Sequence, residues 1–152
     1  MNNLIWAIIL SVLPISELRG GIPLAIGLGY KPLLVFLTCT IANSLIVFPF
    51  FFFLDYLNNY FMRFTRYRNF FNKYLEKKRG GLEKYIGKKG EFIALMIFVG
   101  IPLPGTGAYT GTLLAWFFKM KRIYSYIAII AGVIIAGILI TLASIGIFTF
   151  FL

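Results

Sequence analysis

The stretch Pro14-Ile15-Ser16-Glu17-Leu18-Arg19-Gly20-Gly21-Ile22-Pro23 interrupts an apolar run over residues 4–28 with residue types that a membrane-spanning helix avoids. Proline withholds a backbone donor and glycine loosens the helix, so the chain is expected to turn here, with Pro14, Gly20, Gly21 and Pro23 forming a hairpin. The arm before the break is about 10 to 12 residues, or roughly 16 Å of helix against a hydrocarbon core of about 30 Å. Such an arm reaches the midplane and turns back. A second stretch repeats the device. Gly100-Ile101-Pro102-Leu103-Pro104-Gly105-Thr106-Gly107-Ala108-Tyr109-Thr110-Gly111 breaks the apolar run 92–118, with Pro102 and Pro104 as its hairpin-forming prolines.

Two further runs, 33–54 and 124–152, carry no charge. At about 20 residues or more, each is long enough to cross a bilayer as a helix. Pro49 is expected to kink the first near its end. In the second, Ala128, Gly132 and Ala136 form a stripe of small residues suited to close packing, within the chain or across a dimer. Composition agrees with a membrane domain: 152 residues, 60% hydrophobic, mean hydropathy +0.87 and 13% charged, where a soluble domain carries about 25% charge. The amino-terminal run lacks a basic leader and continues into Pro14, Glu17 and Arg19 rather than a small-residue cleavage site. It is expected to be retained.

Charge sets the expected topology. Ten of the 15 Lys and Arg residues lie between Arg63 and Lys89, which assigns this region to the cytoplasm. If 92–118 crossed fully, Lys119, Lys121 and Arg122 would emerge outside; re-entry returns them to the cytoplasmic side. The expected fold is therefore an all-α integral membrane protein of one domain, in the cell membrane. It is an inverted repeat of a re-entrant helical hairpin plus a transmembrane helix (4–30 with 32–55, then 91–118 with 123–152), joined by a basic amphipathic segment over 56–90. In that segment Leu57, Tyr60, Phe61, Phe64, Tyr67, Phe70, Phe71 and Tyr74 recur at helical spacing between basic residues. The net charge of +10 is accordingly assigned to anionic lipid headgroups, not to nucleic acid. The absence of histidine and the lone Cys39 exclude disulfides, thiolate metal sites and histidine acid–base chemistry within one chain. No metal, cofactor or enzymatic activity is expected.

Glu17 and Arg19 are the sharpest functional signal. A charge at midplane depth costs about 2.5 to 3.5 kcal/mol on insertion scales, so such residues face a bundle interior and mark a pathway. Either the two pair with each other or with broken backbone, or Arg19 grips an anionic substrate while Glu17 carries a proton. At the second break, Gly105, Thr106 and Gly107 are expected to leave backbone N–H groups free at a helix N-terminus, which favours phosphate or carboxylate. Thr106 and Thr110 add hydroxyls, and Asn43 places an amide within the first spanning run. These residues, with Arg19, are the candidate substrate contacts. Packing alone would also account for the glycines, and interhelical hydrogen bonding for Asn43. Asp55, at the end of its span, reads as an interface residue.

At the two breaks the sequence resembles the small multi-drug export proteins, on the stretches 14–23 and 101–111, and the likeness extends over nearly the whole chain. More remotely it is similar to the DedA superfamily, which is built on opposed re-entrant hairpins and is linked to proton-coupled movement of lipids such as polyprenyl phosphates. Glu17 falls where those proteins have an acidic residue, and Pro104-Gly105 on their second-hairpin Pro-Gly. Where they have an arginine two residues later, this chain has Gly107, and Arg19 is the residue available to replace it. The resemblance implies a proton-linked transporter or flippase for an anionic lipid; with only four hydrophobic segments, the chain is expected to act as a homodimer. Export of small hydrophobic or cationic compounds is the alternative. A lipid-pyrophosphate phosphatase ranks third, since only one acid lies at hairpin depth.

Overall fold

A computed structural model describes residues 2–61, 69, 73 and 88–151. All of its described elements are helices: α1 (Asn2–Val12), α2 (Glu17–Gly27), α3 (Pro32–Leu45), α4 (Val47–Phe61), α5 (Lys88–Gly100), α6 (Ala108–Phe117) and α7 (Arg122–Phe151). Most of the expected basic amphipathic segment lies outside the described residues, beyond the end of α4.

Both breaks fall at prolines, Pro14 in the first and Pro102 and Pro104 in the second. The first occupies residues 13–16, between α1 and α2, and α2 folds back against α1. Gly20, Gly21 and Pro23 are not in the turn, as the sequence had led us to expect, but inside α2. Gly21 has the packing role instead: a Cβ there would stand 2.4 Å from the Ala7 carbonyl oxygen, so its lack of a side chain lets α2 lie against α1. The second break occupies residues 101–107, and α6 packs back onto α5, with Gly111 against Val99.

The two broken units share a register 90 residues apart. At the end of α2 the Gly29 and Tyr30 amides donate to Ile26 and Ala25; at the end of α6 those of Lys119 and Met120 donate to Trp116 and Ala115. Gly29 and Lys119 both take positive φ, 85° and 54°, as left-handed caps that satisfy the last carbonyls. The buried positions of α2 (Glu17, Leu18, Gly21, Ile22, Ala25) and those of α6 (Ala108, Gly111, Thr112, Ala115) follow the same offset. In this register Glu17 is the equivalent of Gly107.

The span 32–60 is divided at Ile46, between α3 and α4. The cause is Pro49. It has no N–H for the Leu45 carbonyl and its ring crowds that oxygen, so the helix opens one turn before the proline rather than at it. Taken through this step, Pro32–Tyr60 is long and apolar enough to cross a membrane, as is Arg122–Ile147 of α7.

Helix α7 is the element on which the rest assembles, packing against α5, α2, α3 and α6. Its small residues are consumed within the chain. Ala128 and Ala136 are buried, and Gly132 lies against Met96 and Val99 of α5, so the stripe is an intramolecular seam. On the other side, Gly137 lies against Phe36 and Thr40 of α3. In the middle of α4, Asp55 accepts from Trp116 Nε1 at 3.0 Å and pairs with Arg122, whose guanidinium also stacks over Phe51. With Tyr126 stacked on Phe48, this cluster fastens α4 to the α6–α7 corner.

Candidate functional site

The two breaks meet, and the contacts between them are polar. Glu17 opens α2 with φ 45°, a left-handed conformation that costs a glutamate about 1–3 kcal/mol and persists only when its surroundings impose it. Here the imposing contact is across the molecule. The side chain is buried, and its carboxylate rests on the N-terminus of α6, where the Tyr109 amide donates to Oε1 at 3.4 Å and the Ala108 amide also faces it. A Cβ on Gly107 would come within 1.7 Å of Glu17 Oε2, so only glycine leaves room for this seat. The arrangement is an N-cap supplied from 90 residues away, a carboxylate on the positive end of a helix.

Arg19, half-buried and two residues on, donates through Nη2 to the Thr106 carbonyl, with the Thr106 hydroxyl at 3.4 Å. The clasp is returned by the second unit. Tyr109 donates its hydroxyl to the Val12 carbonyl at 2.6 Å, satisfying an orphan acceptor at the end of α1. Its ring meets Phe50 edge-on, with centroids 4.9 Å apart. Glu17 and Arg19 thus bind broken backbone of the opposite unit rather than each other. Tyr109→Phe is expected to cost about 1 kcal/mol, the net worth of one buried hydrogen bond. Thermal unfolding in detergent checks this; an unchanged midpoint would show that Val12 finds another donor.

Between the units lies a cavity of about 10 Å³, room for one water molecule. Glu17, Arg19, Asn43, Thr106, Gly107 and Ala108 line its polar side, and Val99, Val133, Ala136 and Ile140 its apolar side. Asn43 is 1% exposed, and its Oδ1 has no hydrogen-bond partner. An unpaired buried carbonyl oxygen costs about 1–3 kcal/mol, so this oxygen, on a residue that lines the cavity, calls for a donor.

The candidate residues named from sequence divide accordingly. Glu17, Arg19, Asn43, Thr106 and Gly107 converge on the cavity. Gly105 does not: at φ 84° it makes the turn, exposed at the tip of the second break. The Thr106 hydroxyl is occupied within its own turn, 2.6 Å from the Ile101 carbonyl oxygen and 2.8 Å from that of Leu103. Thr110 is half-buried on α6 and is not among the cavity-lining residues. Pro14, Pro102 and Pro104 sit in the breaks themselves. The α6 N-terminus, expected to be free, is filled by the Glu17 carboxylate. Tyr109 was missed from sequence, although a phenol two residues beyond the second-break glycine was the available signal.

The site is thus a buried carboxylate, a guanidinium and a helix N-terminus held together by two broken helices in an apolar bundle. No curated protein and no solved structure matched the chain. A family model described as "Putative small multi-drug export protein" matches residues 17–139, from Glu17 through both faces of the clasp to the middle of α7, and the chain belongs to that family of membrane exporters.

Proposed function

We propose that the protein is a proton-linked exporter or flippase of an anionic amphiphile, with a lipid phosphate of the polyprenyl-phosphate kind as the leading substrate class. One observation carries this reading: the α6 N-terminus, beside Arg19, already holds a carboxylate. A location with helix-end amides and a guanidinium suits an anionic head group for the same electrostatic reasons. The lipid tail stays in the bilayer, so a small protein handles only the head.

In this reading the two broken units are opposed re-entrant hairpins forming an inverted repeat, as in many secondary transporters. The tips support it. Ile15 is 97% exposed and Leu103 55% exposed, which suits hydrocarbon and not water. The basic region after α4 is cytoplasmic, Glu17 is the proton carrier, and two copies of the chain form the working unit. With a cavity for one water, the conformation described is a closed one, and the hairpins part to admit a head group.

Export of small hydrophobic or cationic compounds is the second reading. It is favoured by the engagement of Arg19 with Thr106, which leaves Glu17 as the charge presented to a ligand.

Reconstitution in liposomes separates the two. Transbilayer movement of a polyprenyl phosphate is expected to require Arg19, with Arg19→Ala reducing it at least tenfold, and to respond to a pH gradient. No movement above empty liposomes, with uptake of lipophilic cations in its place, would transfer the assignment to the second reading.

A further inference from the structure

If the α6 N-terminus and Arg19 are the anion site, as proposed above, then Glu17 and the substrate need the same partners. The carboxylate sits on the Tyr109 and Ala108 amides, closes the space over Gly107, and balances the charge of Arg19 two residues away. A second, independent feature belongs to the same cavity: Asn43, 1% exposed, is one of its lining residues, and its Oδ1 is without a donor.

We propose that Glu17 is a tethered competitor of the substrate with two seats. As a carboxylate it accepts from the α6 amides and occupies the anion site. As a carboxylic acid it has an O–H to give, and it turns to the vacant Asn43 Oδ1. That move frees the helix N-terminus and leaves Arg19 as an unbalanced positive charge. Protonation thereby converts an electrically neutral, self-filled site into an empty cationic one. The proton comes from water on the side to which the hairpins open, forms the O–H bond on a Glu17 oxygen, and is released when the carboxylate returns to α6. No bond in the substrate is made or broken.

Among the described residues, the other titratable groups near Glu17 are few. Arg19 lies on its own helix and Tyr109 on α6. From α3, Asn43 faces it, with Cys39 one turn away outside the cavity. From α5 the cavity is met by Val99, and from α7 by Val133, Ala136 and Ile140. Helix α1 has no titratable side chain. Within physiological pH the switch is therefore Glu17 itself.

The test is equilibrium binding of an alkyl sulfonate, whose charge is fixed, to the full chain in phosphatidylcholine nanodiscs between pH 5 and pH 8. Wild-type affinity is expected to rise at least tenfold as pH falls. Glu17→Gln, neutral but still able to donate to Asn43, is expected to bind tightly at every pH. Asn43→Leu, which removes the second seat, is expected to bind weakly with a flattened pH profile. Glu17→Gln binding no better than wild type at pH 8 would overturn the competition, while binding that still depends on Arg19 would leave the anion site standing. If Glu17→Gln does not fold, a flat wild-type profile overturns the competition by itself. A wild-type pH profile in Asn43→Leu would remove Asn43 from the switch. No Arg19-dependent binding in any variant would overturn the anion site and the competition together.

Discussion

Gly107→Ala is expected to cut the proposed polyprenyl-phosphate transport at least 100-fold while the bundle still assembles. The backbone gives no reason to prefer glycine here: Gly107 has φ −177°, an extended conformation open to any residue. The obstacle is steric and local. The added methyl would fall 1.7 Å from Glu17 Oε2 and 2.4 Å from its Cδ. These atoms are the far end of a side chain with freely turning bonds, so the carboxylate leaves and the helices do not. Outside its seat it loses the α6 amides and is left in an apolar bundle, a loss of about 2–3 kcal/mol. Adding Glu17→Ala is expected to return most of this stability without returning transport, since the methyl then has space and the proposed proton carrier is gone. That non-additivity, read as unfolding midpoints of the two single variants and the double, is the signature of residues in direct contact. Wild-type transport in Gly107→Ala would show that the seat of Glu17 has no part in function.

The shared register explains why this position can be so sensitive. Glu17 and Gly107 are equivalent residues of the two broken units, and they meet. Two side chains cannot occupy one meeting point, and two carboxylates there would repel at close range. One unit therefore supplies the acid and the other supplies the space and the amides. Arg19 and Tyr109 are likewise equivalent, and each donates to backbone of the opposite unit. A repeat of backbone pattern thus carries a division of chemical labour.

Much of this architecture was legible in the sequence because proline and glycine act locally. The two breaks could be found from Pro14 and from Pro102-Leu103-Pro104-Gly105, and the two long apolar helices from hydropathy alone. What was not legible depends on distance along the chain. Nothing in residues 101–111 announces that the amides after Gly107 are already capped, because the cap comes from Glu17. Gly20 and Gly21 looked like turn residues, and only the pairing of α2 with α1 shows that Gly21 is needed where a helix face meets a carbonyl. Pro49 identified the kink but not its place, because the missing hydrogen bond belongs to Leu45 and the helix opens at Ile46. The small-residue stripe on α7 could have faced a second copy or the same chain, and periodicity cannot choose between them. Asn43 was visible as an intramembrane amide, but its unpaired oxygen required the fold.

The stripe offers the largest expected effect on stability. Gly132→Val is expected to prevent assembly of the bundle, a destabilisation of about 3 kcal/mol or more, at the upper end for overpacked sites. A Cβ at Gly132 would stand 2.7 Å from the Met96 carbonyl oxygen and 2.7 Å from Val99 Cβ. Unlike the contact at Gly107, these are atoms fixed by the course of α5, and relief requires moving that helix as a body. From the other side, a Cβ at Gly100 would lie 3.3 Å from the Ile135 side chain and 3.6 Å from the Gly132 carbonyl oxygen. The two helices therefore approach through backbone at consecutive turns, which is how apolar helices associate where lipid removes the hydrophobic drive. Separating them also withdraws Val99 and Val133 from the cavity wall that backs Glu17. The control is on the same helix. Gly146→Val introduces a side chain where nothing lies within 4 Å, and it should change stability by less than about 0.5 kcal/mol. Both variants carry the same intrinsic substitution of valine for glycine in a helix, so the difference between them isolates the contact with α5. Thermal unfolding and elution as a single species in detergent read that difference; equal behaviour of the two variants would mean that α5 and α7 do not depend on this close approach.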